Sequence, residues 1–152
     1  MKNRCLLLTI ILLSSITFSD TETIMTKEII FTEEAPKAIG PYSQGVVAGN
    51  TLYISGQVPL NPTTGALIEG SITDQAVQVI SNLESICRAA NASLTDIVKL
   101  NIYLTDLSNF AEVNAVMQDK FAEPYPARAT VEVSALPLGV DIEMDAIVLI
   151  HE

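Results

Sequence analysis

The sequence predicts an α+β domain, a sheet with two helices packed on one of its faces. Three observations lead there. Apolar residues keep helical spacing in two segments only, while six others are short runs with strand-like composition or period-2 alternation. Each helical segment lies between strands far enough apart for a crossover connection. Finally, 152 residues with 49% apolar content can bury one core and are too few for two ordinary domains.

The elements follow in order. Glu28 to Phe31 reads as a strand, and after the turn-rich Ala35-Pro-Lys-Ala-Ile-Gly-Pro two more follow at Gln44 to Ala48 and Thr51 to Ser55. Gly49-Asn50 between them is a tight hairpin signal. A loop with Pro59, Asn61, Pro62 and Gly65 leads to the first helix, whose stripe is Ala76, Val79, Ile80, Leu83, Ile86, Cys87 and Ala90, with Ser71 or Thr73 as N-cap. In Ile97 to Leu104, Val98, Leu100, Ile102 and Leu104 alternate with Lys99, Asn101 and Tyr103. The second helix carries Phe110, Val113, Met117 and Phe121, with Asn114 at the edge of the stripe and Pro124 as its stop. Strands at Arg128 to Val133 and Ile142 to Leu149 close the chain. The last has Ile142, Met144, Ala146 and Val148 on one side, yet Ile147 and Leu149 on the other. With helices covering one face only, the second apolar side predicts burial against another subunit.

The first 19 residues have the layout of an export signal: basic Lys2 and Arg4, then Cys5-Leu-Leu-Leu-Thr-Ile-Ile-Leu-Leu, then small or polar Ser14, Ser15, Thr17 and Ser19. The expected organisation is a signal peptide at 1–19, a linker at 20–26 and a folded domain at 27–152. The mature protein would then be secreted or periplasmic, without stable membrane association once the signal is removed. Met25-Thr-Lys-Glu offers a second start and a cytoplasmic product.

Composition excludes several functions. A net charge of −10 repels a phosphate backbone, so nucleic acid is not an expected partner. Two cysteines, Cys5 and Cys87, make neither a disulfide framework nor a thiolate metal site, and Cys87 reads as a small core residue. With His151 the single histidine, triads, Cys-His pairs and His-rich metal sites are ruled out by inventory.

An acidic chain that binds an anionic metabolite needs a local cation, and after position 24 only Lys27, Lys37, Arg88, Lys99, Lys120 and Arg128 are available. Arg88 reads as a favourable charge at a helix C-terminus. Arg128, at the start of a strand, either grips a carboxylate with two parallel hydrogen bonds or pairs with a surface acid. Glu143 stands in an otherwise apolar strand, where a carboxylate is exposed, paired or able to act on water; Glu132 and Asp145 are its rivals. Tyr42, in Ile39-Gly-Pro-Tyr-Ser-Gln-Gly, either walls a pocket or plugs the fold. Gly56 either admits a ligand to the backbone or ends a strand. Asn114 is a site residue or a satisfied polar group on a helix edge.

Five blocks together carry a resemblance. Ala38-Ile-Gly-Pro-Tyr-Ser-Gln-Gly, Ile54-Ser-Gly-Gln-Val-Pro, Val98-Lys through Tyr103, Phe110-Ala-Glu-Val-Asn and Tyr125-Pro-Ala-Arg-Ala-Thr-Val-Glu-Val resemble the RidA (YjgF) family in order and spacing, over Lys27 to Glu152. The resemblance implies a chorismate-mutase-like fold, a homotrimer with clefts at the subunit interfaces, and no cofactor. It implies hydrolysis of 2-imino and enamine acids (2-aminoacrylate, 2-iminopropanoate, 2-iminobutanoate) to 2-keto acids and ammonia, with small imino or keto acids as ligands. In that scheme Arg128 binds the substrate carboxylate, Glu143 holds the attacking water, and Tyr42, Gly56 and Asn114 shape the cleft. Many members have Cys where this chain has Thr130, so Thr130 joins the substrate-binding set and any role for a thiol there is lost. Family members have also been described as single-strand endoribonucleases and as metabolite-binding or chaperone-like modules; a binding or chaperone module would need Arg128 but not Glu143.

If the N-terminal segment is used, sequencing of the exported protein will read from near Asp20. A cytoplasmic product beginning at Met25 would show that it is not.

Overall fold

The computed structural model describes residues 26–151, so the expected export signal and nearly all of the linker lie outside the described residues. Strands and helices appear in the predicted order: β1 (Lys27–Ile30), β2 (Gly45–Ala48), β3 (Thr51–Gln57), α1 (Ile72–Ala89), β4 (Ile97–Leu104), α2 (Phe110–Lys120), β5 (Ala127–Glu132) and β6 (Ile142–Leu149). They form one six-stranded sheet in the order β1-β2-β3-β6-β4-β5. Only β4 and β5 pair in parallel, as the α2 crossover between them requires.

Both helices lie on one face of this sheet. Leu52, Leu100, Leu104, Ile142, Met144 and Val148 point at them and are almost completely buried, with Val79, Leu83, Ile86 and Val113 from the helices opposite. Cys87 belongs to this core, and its burial pushes the thiol up to about 12. The other face is half-exposed throughout, with Tyr53, Asn101, Tyr103, Glu143, Asp145, Ile147 and Leu149 along β3, β4 and β6.

Two expectations about the core are corrected. Val98 is exposed because β4 bulges there: Ile97 pairs with Val148 and Lys99 with the preceding Ile147, so Ile97 takes the core position meant for Val98. Phe110 is also exposed, and Val116 completes the buried stripe of α2 in its place. The first turn of α2 overhangs the start of β5 instead of the core, and Phe110 packs there against Arg128.

Local chemistry fixes the ends of α1. Ser71, one of the two expected N-caps, closes a capping box: its hydroxyl accepts from the Asp74 N–H at 3.2 Å, and the Asp74 carboxylate accepts from the Ser71 N–H at 2.9 Å. At the other end Asn91 takes a left-handed conformation (φ 56°), which lets the Ala92 N–H reach the Cys87 carbonyl.

Residues 31–43 contain no strand or helix, and one buried side chain bonds to their backbone at three residues. Gln44, 2% exposed, accepts from the Thr32 N–H at 2.7 Å and donates toward the carbonyls of Thr32, Ala35 and Pro36 at 2.8–3.1 Å. Truncating it would leave buried backbone groups unpaired. Gln44→Ala is therefore expected to lower stability by about 2–3 kcal/mol in urea denaturation at fixed protein concentration. Ser71→Ala should lose only about 1 kcal/mol, because its partners reach water.

Candidate active site

A bulge in β3 starts the first half of the site. Ile54 pairs with Ala146 and Gln57 with Met144, so Ser55 and Gly56 together oppose a single residue of β6. Ile54 and Gln57 both return to the buried face, and Gly56 comes out beside Glu143. A Cβ at position 56 would overlap the Glu143 carboxylate, so only glycine leaves room for that side chain as it stands.

Glu143 opens into a cavity of about 310 Å³. Its walls come from the segment Gln44 holds, with Pro36, Lys37, Ile39 and Tyr42; from β3 and the residues after it, Ser55 to Val58 and Leu60; and from Pro137 and Leu138. Tyr42 is half-exposed there, and its hydroxyl accepts a long hydrogen bond (3.4 Å) from the Ile39 N–H.

The rivals of Glu143 are otherwise engaged. Asp145 accepts from Asn101 Nδ2 and from the Tyr103 hydroxyl, each at 2.8 Å, and that hydrogen bond raises the Tyr103 pKa. Glu132 accepts from the Leu107 N–H at 2.8 Å. No donor among the described residues holds Glu143. Partial burial raises its pKa above the ordinary carboxylate value, and the negative charge of Asp145, two residues along the same strand face, adds to the effect.

The second half lies where α2 meets the start of β5. Arg128 is exposed and donates from Nη1 to Asn114 Oδ1 at 2.9 Å, with Cζ 5.3 Å from the Phe110 ring centroid. It forms no ion pair among the described residues, although the chain is acidic; Arg88 by contrast pairs with Glu34 and Glu84. Arg128, Asn114, Met117, Gln118, Tyr125 and Pro126 line a cavity of about 340 Å³. Thr130 follows on the same strand face, and its Oγ1 is buried without a hydrogen-bond partner.

One chain thus brings Tyr42, Gly56 and Glu143 together, and separately Asn114 and Arg128, with Thr130 behind the arginine. The register explains the separation. Across β4, Glu143 pairs with Tyr103 on the half-exposed face, whereas Arg128 pairs with Leu100, which is buried under the helices. The two groups therefore sit on opposite faces of one sheet. Sequence reasoning missed Ile39 and Leu138 in the first cavity and Tyr125 in the second; an apolar residue inside a turn, as in Leu136-Pro-Leu-Gly, was the available signal for Leu138.

Residues 32–150 match the family model described as Endoribonuclease L-PSP. The chain belongs to the RidA (YjgF) family. It is 51% identical to a RutC family protein of Pyrococcus abyssi, over 81% of this chain and 97% of the relative. A RidA relative in Dermatophagoides farinae, named 2-iminobutanoate/2-iminopropanoate deaminase, is 43% identical over 82% of this chain and 98% of its own. The crystal structure of RidA from an Antarctic Psychrobacter superposes with a TM-score of 0.79 at 51% identity, covering 81% of this chain and 99% of that one. The α+β fold predicted from the sequence is the RidA fold, and some RidA relatives are named as imine deaminases.

The electrostatics give a direct test. Titration of the Glu143 side-chain carboxyl by carbon-13 NMR should give a pKa above the ordinary glutamate value. Asp145→Asn removes the neighbouring like charge and should move that pKa down, with part of the elevation remaining from burial.

Proposed function

We propose that this chain hydrolyses 2-imino acids to 2-keto acids and ammonia in a cleft made by two copies of itself, one supplying Arg128 and the other Glu143. The observation that carries this reading is an uncompensated guanidinium in an acidic protein. Arg128 is fixed by an amide and an aromatic ring, both neutral, so its charge is available to an incoming carboxylate. The opposite placement of Glu143 is the reason for two copies, and the apolar side chains Tyr53, Ile147 and Leu149 on the half-exposed face favour such assembly, as a homotrimer.

The chemistry asks for little. With the substrate carboxylate on Arg128, Glu143 takes a proton from water as the water oxygen bonds to the imine carbon. The C=N π pair moves to nitrogen, which is protonated, giving a tetrahedral carbinolamine. Glu143 then relays the hydroxyl proton to the amine nitrogen, the C–N bond breaks with its pair going to nitrogen, ammonia leaves and the keto C=O forms. A raised pKa makes Glu143 a stronger base than an ordinary carboxylate, better suited to taking a proton and returning it. The endoribonuclease reading finds less support: the chain carries −10 charge, and His151 stands 3.4 Å from Asp96, lining neither half-site.

Arg128→Ala should reduce kcat/KM on 2-iminopropanoate by roughly two to four powers of ten, since two charge-assisted hydrogen bonds of about 1.5–3 kcal/mol each are lost. Arg128→Lys should recover little, because an ammonium lacks the planar two-point fit. Glu143→Gln should keep product binding and slow turnover. In the parent, kcat/KM should fall as pH drops through the raised Glu143 pKa, and Glu143→Gln should lose this limb. An Arg128→Ala protein that is folded, trimeric and nearly as fast as the parent would overturn the reading.

A further inference from the structure

The cavity in front of Glu143 is built mainly of apolar side chains. Ile39 is 71% exposed, Leu138 54% and Tyr42 48%, yet they converge on one concave space that Val58 and Leu60 extend. Scattered exposed apolar residues need no explanation, but a concave cluster around one carboxylate has the make-up of a ligand pocket.

Leu138 is the unusual member. It sits in the 3₁₀ turn Pro137–Gly139 with φ 60°, and Gly139 follows at φ 69°. Two successive left-handed residues are ordinary for glycine and strained for leucine, whose γ-branched side chain gains no compensating burial in this chain. Such strain is kept where the side chain is needed in that place. Here it holds an isobutyl group at the cavity wall.

We propose that this apolar cavity receives the substrate's side chain, and that Leu138 sets a preference for 2-imino acids with branched aliphatic or aromatic side chains over those with one or two carbons. The inference rests on the imine-hydrolysis reading above and deepens it by naming the substrate class. A reaction that supplies such substrates would be the two-electron oxidation of a bulky apolar amino acid at its Cα–N bond. A side chain of a second copy is the other conceivable occupant. An apolar one would seal in the Glu143 carboxylate with no donor, whereas an imino acid brings an N–H and the water to be activated. Lys37, also on the lining, is the one cation there, and it makes an acidic substrate side chain the alternative to be tested.

The full-chain protein would be given imino acids released in situ by an amino-acid oxidase, with catalase, from alanine, leucine, phenylalanine and glutamate. Removal of each imine is followed by competition with semicarbazide. Binding of 4-methyl-2-oxopentanoate and of pyruvate is measured in parallel by calorimetry. The leucine- and phenylalanine-derived imines should exceed 2-iminopropanoate in kcat/KM by about tenfold or more. Leu138→Gly, which suits φ 60°, should keep or raise Tm and bring that ratio close to one; Leu138→Ser provides a second truncation should the first disturb the turn. A ratio unchanged in both folded variants, or a preference for the glutamate-derived imine, would overturn the inference while leaving the Arg128 result standing. If no imine is turned over, yet 4-methyl-2-oxopentanoate binds more tightly than pyruvate and Leu138→Gly removes the difference, the side-chain pocket is supported and the deaminase reading fails. Equal binding of the two keto acids without turnover would overturn both.

Discussion

The register of β6 is the constraint on which the rest of the structure depends. It lies between β3 and β4, antiparallel to both, and its residues alternate strictly between buried and half-exposed. Ile142, Met144, Ala146 and Val148 form the floor on which α1 and α2 pack; Glu143 and Asp145 are held on the other side by the same alternation. A slip of one residue would drive both carboxylates under the helices and expose the methionine. The apolar contacts of the core therefore fix the direction in which the catalytic candidate points. The bulge at Ser55 and Gly56 then clears the space into which it points.

Much of this was legible in the sequence, and the parts that were not share a cause. The extents of β4 and β6 were legible in their apolar runs, and α1 in its stripe and its cap. The bulges at Val98 and Gly56 were hidden because a bulge is a property of two paired strands, and the pairing is not local information. Phe110 fits a helical stripe by spacing, but spacing does not reveal that the first turn of α2 reaches past the core to Arg128. The six candidate residues were read from their own segments. Their division into two groups depends on how β5 and β6 are registered on β4, which pairs Arg128 with buried Leu100 and Glu143 with half-exposed Tyr103.

The charged groups follow one pattern across both cavities. Several charged groups elsewhere have defined partners: Asp74 and Asp96 serine caps, Asp145 an amide and a phenol, Arg88 two glutamates. Arg128 and Glu143 stand apart, since the first has only neutral partners and the second has a like charge as its neighbour. Both arrangements withhold compensation that a purely structural residue would have received. Groups left in this condition are suited to a ligand of opposite charge or to exchange of a proton.

Cys87 has a consequence for where such a domain can work. It is fully enclosed between the first helix and the sheet, with a thiol pushed to about 12, so almost no thiolate exists at any physiological pH. Neither disulfide exchange nor peroxide has a nucleophile to engage there, and the described residues contain no second cysteine to pair with it. Cys87 is thereby insulated from redox poise: it would stay a free thiol in the reducing cytosol and in an oxidising exterior alike. Transfer from one compartment to the other, whether during the life of a cell or over evolutionary time, would ask nothing new of its core.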